Sequence, residues 1–244
     1  MDTAQQNSSR AGALDFAHGI ADFWDRHLGE RLIGFYVIGS LAHGGFSSRY
    51  SDIDLALLAE DSLTSEDLAC MGERATALSP DLAPKLSLFW TERHFSVGRF
   101  PPLDRVDLID HGIALIEREH VRPARPTLSQ IRTYLGAEPL RNWALQAEKL
   151  SALAVLTGAN HKAYLRTLLY PARFVYSWTT GKMASNDAAV AWLRLHAHAG
   201  LDLDLIERAL KCRNEDLDPD YLFPERSKLL LHRDACLGLA AEHA

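Results

Sequence analysis

The fold of this 244-residue chain is decided by the stretch FYVIGSLAHGGFSSRYSDIDLALLAE, from Phe35 to Glu60. Two apolar runs, residues 35–38 and 55–58, enclose a turn that is rich in glycine and serine. Asp52 and Asp54 stand just before the second run. Because side chains on a strand alternate between its faces, both carboxylates project from the same face, about 7 Å apart. The stretch therefore predicts two strands that carry one polar site between them.

The paired aspartates indicate a bound cation. Aspartate is depleted from strands and like charges repel, so the pair has a cost in stability. Two carboxylates can hold Mg²⁺, which keeps free positions for water and substrate phosphates. The Gly39-Ser40 dipeptide ends the first strand, and its amides and hydroxyl can grip a terminal phosphate. These residues favour Mg²⁺-dependent nucleotidyl transfer, while the alternative for Gly39 is an ordinary turn glycine with positive φ.

Composition indicates a folded globular protein, with 47% apolar residues, a formal net charge of -6 and a pI near 6.0. Because the net charge is negative, the protein has no general positive potential that would attract long nucleic acid, and we expect none as a partner. We also expect no membrane partner, since no segment approaches the roughly 18 apolar residues of a membrane span. Three scattered cysteines without metal-ligand spacing are typical of reduced thiols, which favours a cytoplasmic location.

The spacing of apolar residues predicts an α+β protein with two domains. Residues 1–121 should form a mixed β-sheet with flanking helices, and residues 127–244 an all-α helical bundle. The boundary lies at Arg122–Pro126, a stiff, proline-containing segment. A capping box at Thr64 and Asp67 should begin one sheet-covering helix. Predicted strands are 32–38, 52–58, 85–90 and 113–117, and predicted helices are 11–28, 103–110, 128–135, 140–156, 162–179, 187–198, 202–211 and 224–241.

Two stretches resemble a known family. Gly39-Ser40, Gly44-Gly45 and Ser51-Asp52-Ile53-Asp54 resemble the signature of the DNA polymerase β-like nucleotidyltransferase superfamily. The stretch RFVYSWTTGKMASNDAAVAW, from Arg173 to Trp192, is similar to the C-terminal domain of aminoglycoside adenylyltransferases that modify streptomycin and spectinomycin. The resemblance covers the chain from about Ala13 to Arg213.

This resemblance implies transfer of AMP from ATP to a hydroxyl of a small molecule, with an aminoglycoside antibiotic as a candidate acceptor. Asp52 and Asp54 match the catalytic, metal-binding aspartates, and Mg²⁺ is the implied cofactor. Gly39-Ser40 matches the triphosphate-binding turn, while Arg173 and Lys182 match basic positions implied to bind the nucleotide. For Lys182 the alternative is a helix C-terminal cation that the helix dipole favours.

Two departures from the family leave alternatives open. The family strand that matches residues 85–90 begins with a catalytic glutamate, and the matching residue here is Lys85, whose ammonium cannot bind Mg²⁺. The segment Thr157–Arg166, where the family offers acidic contacts, contains no acid and should repel a polycation. The alternatives are a catalytically impaired, nucleotide-binding pseudo-transferase and a protein adenylyltransferase.

Overall fold

The computed structural model describes residues 3–242, with side chains from Ser8 onward. The chain divides into two compact units, Met1–Pro126 and Thr127–Ala244. The first unit carries a five-stranded mixed sheet with helices, and the second is helical, which confirms the predicted α+β class. Within residues 3–242, no helix has the length and hydropathy that crossing a membrane requires.

The first unit contains the strands β1 Leu32–Val37, β2 Ile53–Ala59, β3 Leu86–Glu92, β4 Gly98–Arg99 and β5 Ile113–Glu117. They form one sheet in the order β4-β3-β2-β1-β5. Strand β2 pairs with β3 in parallel, and the β1–β2, β1–β5 and β3–β4 pairs are antiparallel. Because β1 and β2 lie inside the sheet and are covered by helices, both read as nearly continuous apolar runs.

The predicted pairing of the two apolar runs is confirmed. In the β1–β2 pair, Val37 lies opposite Leu55, and the amide of Ile38 donates to the carbonyl of Asp54 at 3.0 Å. This register brings the end of β1 level with the beginning of β2. The glycine that follows Ile38 therefore lies beside the second aspartate of the pair.

The helices of the first unit flank this sheet. The longest packs against the sheet through Ile20 and Trp24, both fully buried. The capping box predicted at Thr64 and Asp67 is confirmed: the Thr64 hydroxyl accepts from the Asp67 amide at 3.1 Å, and the Asp67 carboxylate accepts from the Thr64 amide at 2.8 Å. The helix bounds are α1 Thr3–Leu28, α2 Gly39–His43, α3 Ser65–Leu78 and α4 Pro102–His111.

The second unit is built around its longest helix, α7 (Gly158–Thr180), which buries Tyr164, Leu168 and Phe174. The predicted helix 224–241 was wrong at its beginning, because Pro219–Glu225 forms a 3₁₀ helix. The Tyr164 hydroxyl donates to the carbonyl of Leu222 at 3.1 Å and holds this segment against α7. The bounds are α5 Leu128–Gly136, α6 Glu138–Ser151, α7 Gly158–Thr180, α8 Asn186–Leu195, α9 Leu203–Asn214 and α10 Lys228–Ala241.

Truncation in the central strand should destabilise the first unit. Leu57 on β2 is 1% exposed, and Leu57→Ala should lower the free energy of unfolding by about 2–5 kcal/mol through lost burial and a cavity. The matched control is Val97→Ala, at a side chain that is 50% exposed. It should change the free energy of unfolding by less than about 0.5 kcal/mol. Denaturant unfolding measures the free energy of unfolding of both variants. Equal losses in the two would contradict the assignment of Leu57 to the core.

Candidate active site

Gly39 lies directly against the carboxylate of Asp54. Its φ is +67°, a left-handed conformation that glycine adopts without steric cost. A Cβ atom built on Gly39 would come within 2.3 Å of Asp54 Oδ2. The structure therefore brings together the turn glycine and the second aspartate of the sequence motif, and only glycine leaves room for this approach.

The turn between β1 and β2 is held by a chain of serine contacts. The Ser40 hydroxyl donates to Ser51 Oγ at 3.1 Å, and Ser51 Oγ also accepts from the Ser47 amide at 3.0 Å. Ser47 and Ser51 are both buried. Because Ser51 directly precedes Asp52, these bonds tie Ser40 to the segment that leads into the aspartate pair.

The two aspartates lie at the beginning of β2. Asp54 is its second residue, and Asp52 directly precedes the first, Ile53. Ile53 is fully buried, whereas both aspartates are partly exposed. This alternation is what a strand with one polar and one apolar face shows at its end. A pair of carboxylates that is partly open to solvent fits the oxygen donors that Mg²⁺ prefers.

The residue paired with Asp54 on the neighbouring strand is Ser87. Lys85, expected at the beginning of this strand, instead ends the 3₁₀ helix Ala83–Lys85, where Pro84 favours a tight turn. The Lys85 ammonium donates to the carbonyl of Ser48 and so supports the turn between β1 and β2. Neither Ser87 nor Lys85 supplies a third carboxylate.

Glu92, the acid at the end of β3, uses its carboxylate to stabilise the turn that follows. Its carboxylate accepts hydrogen bonds from the amides of His94 at 2.6 Å and Ser96 at 2.7 Å. These bonds, with that from His94 the strongest, lower the pKa of Glu92 to about 2. Glu92 therefore shapes the β3–β4 connection and does not complete the aspartate pair.

Sequence reasoning missed Asp107, a carboxylate of α4 that is 1% exposed. Its Oδ2 atom accepts from the Gly39 amide at 2.6 Å. We expected the Gly39 amide to bind a phosphate, but this amide already donates its hydrogen bond to Asp107. Within the Gly39-Ser40 dipeptide, Ser40 is then the residue that is left to contact a phosphate. A signal was present in the sequence, since Asp107 stands between Val106 and Leu108 on the buried side of a helix.

The two basic residues predicted to bind nucleotide belong to the second unit. Arg173 lies on α7 and is exposed, as is Lys182, which follows the end of that helix. Gly181 caps α7 in the left-handed conformation, and its amide donates to the carbonyl of Ser177 at 2.9 Å. Lys182 thus lies next to the C-terminus of α7, where the helix dipole favours a cation, as the alternative interpretation requires.

A buried arginine was also missed. Arg213 at the end of α9 is 6% exposed, and its electrostatic neighbours include Asp187 and Arg173. Burial lowers the pKa of the Arg213 guanidinium, while the Asp187 carboxylate acts in the opposite direction. Asp187 also accepts from the Asn214 side-chain amide at 2.7 Å. Arg173 thus lies at the edge of a polar network that links α7, α8 and α9.

The segment Thr157–Arg166 contains no acid, but two acids from another part of the same unit lie beside His161. This histidine is 6% exposed, and its Nδ1 atom lies 3.0 Å from Asp218 Oδ1. Its Nε2 atom lies 3.4 Å from Asp220 Oδ2, and the geometry of the three side chains could hold a metal ion. Because the two aspartates come from a segment distant in the sequence, local composition could not reveal them.

Comparison with known proteins rests on the fold alone. No family model and no curated protein matches this sequence. Among solved structures, the spectinomycin adenyltransferase AAD(9) from Enterococcus faecialis, crystallised with ATP and spectinomycin, matches with a TM-score of 0.64 at 13% identity. The match covers 93% of this chain and 99% of that chain. The resemblance drawn from the sequence is therefore confirmed at the level of the fold, because the chain shares the fold of this spectinomycin adenyltransferase over most of its length.

Proposed function

We propose that the protein is a Mg²⁺-dependent adenylyltransferase that transfers AMP from ATP to a hydroxyl of a small molecule. The observation that carries this proposal is the fit of Gly39 against the Asp54 carboxylate, at a turn that ends one strand beside the aspartates of the next. Asp52 and Asp54 would hold Mg²⁺. When bound, the ion neutralises the triphosphate and lowers the pKa of the attacking hydroxyl.

The reaction is an in-line displacement at the α-phosphorus of ATP. A bond forms between the acceptor oxygen and this phosphorus, the bond to the bridging oxygen breaks, and pyrophosphate leaves. Ser40 orients the triphosphate through the turn, and Arg173 and Lys182 offset phosphate charge. Ser87, opposite Asp54, offers no carboxylate, so the acceptor proton passes to solvent.

The proposed acceptor is a cationic aminoglycoside antibiotic, which would make the protein a resistance enzyme. A polycation needs carboxylates in its surroundings, and the side chains of Asp218 and Asp220 are 57% and 58% exposed. The solved adenyltransferase of the same fold holds spectinomycin. We assign the sheet-containing domain, residues 1–121, to the metal and triphosphate, and the helical domain, residues 127–244, to nucleotide and acceptor contacts.

A second candidate is a nucleotide-binding pseudo-transferase. The observation that favours it is the serine opposite Asp54, because a general base contributes about 10²–10⁴-fold to such reactions. A third, protein adenylylation, uses the same metal and triphosphate site with a Tyr or Ser hydroxyl of a partner protein as acceptor.

Asp52→Asn should abolish Mg²⁺-dependent ATP binding, because the variant removes one of two carboxylates available to the metal. Isothermal titration calorimetry with and without Mg²⁺ measures the effect. Asp81→Asn, at an exposed position, serves as the control and should bind as the parent does. Unaltered Mg²⁺-dependent ATP binding by Asp52→Asn would show that the metal has been assigned to the wrong residues.

Gly39→Ala should weaken MgATP binding by about tenfold or more, since it combines backbone strain with a clash against Asp54. The control is Gly72→Ala on α3, where an added Cβ meets nothing within 4 Å. This control should retain affinity and gain slight stability from higher helix propensity. Wild-type affinity in Gly39→Ala would exclude the turn from the nucleotide site.

Incubation of the protein with labelled ATP, Mg²⁺ and a panel of aminoglycosides should show AMP transfer. Ser87→Glu should raise the rate of AMP transfer at least about tenfold, because it supplies a base. Ser62→Glu, at an exposed position of the same unit, is the control for added charge. Transfer by Ser87→Glu alone favours the pseudo-transferase. No transfer by either protein, with ATP binding intact, contradicts small-molecule adenylylation, and AMP on a co-purified protein favours the third candidate.

A further inference from the structure

We propose that Asp107 is a positioning residue that fixes the Gly39-Ser40 turn by binding its first amide. The inference rests on the proposed function, since the turn it fixes is the one assigned to the triphosphate. It adds to that function a carboxylate that neither contacts ATP nor belongs to the metal pair, and it removes the Gly39 amide from the groups that bind phosphate.

The contact between Asp107 and Gly39 is short and shielded from water. Asp107 Oδ2 lies 2.6 Å from the Gly39 nitrogen, and the aspartate side chain is 2% exposed. Hydrogen bonds to ionised groups are shorter and stronger than neutral ones, and burial strengthens them further. Asp107 therefore holds the Gly39 amide in one orientation.

Gly39 is thereby held from two sides. Asp107 binds its amide, and the Asp54 carboxylate occupies the space that a Cβ would fill. The turn cannot move away from Asp107 without breaking a buried hydrogen bond, and only glycine leaves the space that the Asp54 carboxylate occupies. Asp107 thus holds in place the turn that lies beside the carboxylate assigned to the metal.

The second oxygen of Asp107 is buried at a cost in free energy. Oδ1 is buried without a hydrogen-bond partner among the residues that the structure describes, and His43 Nε2 lies 3.9 Å from it. The His43 ring packs edge-on against His111 at 5.4 Å. A buried, incompletely satisfied carboxylate costs free energy, and an apolar side chain of similar size is often tolerated better. The cost indicates a role in arranging the site.

The first test observes the amide directly in the ¹⁵N-labelled full-length protein. Without nucleotide, the Gly39 amide proton should be shifted strongly downfield by its bond to a carboxylate, and it should stay there when MgATP saturates the protein. An unshifted proton, or a large change on adding MgATP, would overturn the assignment of this amide to Asp107. Because the nucleotide-free spectrum decides the contact, failure of ATP binding would affect the proposed function alone.

The second test compares three variants by MgATP titration. Asp107→Asn keeps an acceptor for the Gly39 amide and should bind within about threefold of the parent, whereas Asp107→Leu removes it and should bind about tenfold or more weakly. Asp81→Leu, at an exposed position of the same unit, is the control and should bind as the parent does. Parental affinity in Asp107→Leu, or an equal loss in Asp107→Asn, would overturn the positioning role. If Asp107→Leu does not fold, the wild-type amide spectrum decides.

Discussion

The close approach of Gly39 to the Asp54 carboxylate is the constraint on which the candidate site depends. It requires a positive φ at residue 39, the absence of a Cβ, and a β1–β2 register that brings the two residues level. The apolar runs of β1 and β2 set that register, because a slip by one residue would turn every buried side chain to the opposite face. Core packing and site geometry are therefore determined by the same strand pair.

The site departs from what stability alone would favour. Two aspartates stand together at the beginning of a buried strand, and a third, Asp107, is buried with one oxygen that has no hydrogen-bond partner in the described part of the chain. Like charges and buried carboxylates both oppose folding. The extensive core of the first unit, from Ile20 and Trp24 on α1 to Leu57 on β2, offsets these costs.

The second unit shows how a local charge pattern can mislead. Thr157–Arg166 contains only basic side chains among its charged residues, yet His161 faces two carboxylates from the 3₁₀ region. The hydrogen bond from Tyr164 to Leu222 holds that region against α7. Charge around a side chain is thus a property of the packed unit, and a short segment alone does not show the acids that other segments bring to it.

The sequence by itself determined the class of fold, the β1–β2 pairing, the capping box at Thr64 and the closeness of the turn to the aspartate pair. These features follow from periodicity, capping and turn chemistry, which act between residues close in the chain. Only the tertiary structure decided that Asp107 holds Gly39, that Ser87 lies opposite Asp54, and that Lys85 supports the turn between β1 and β2. Each of these contacts joins segments distant in sequence, and their geometry depends on how helices and strands pack, which local patterns do not specify.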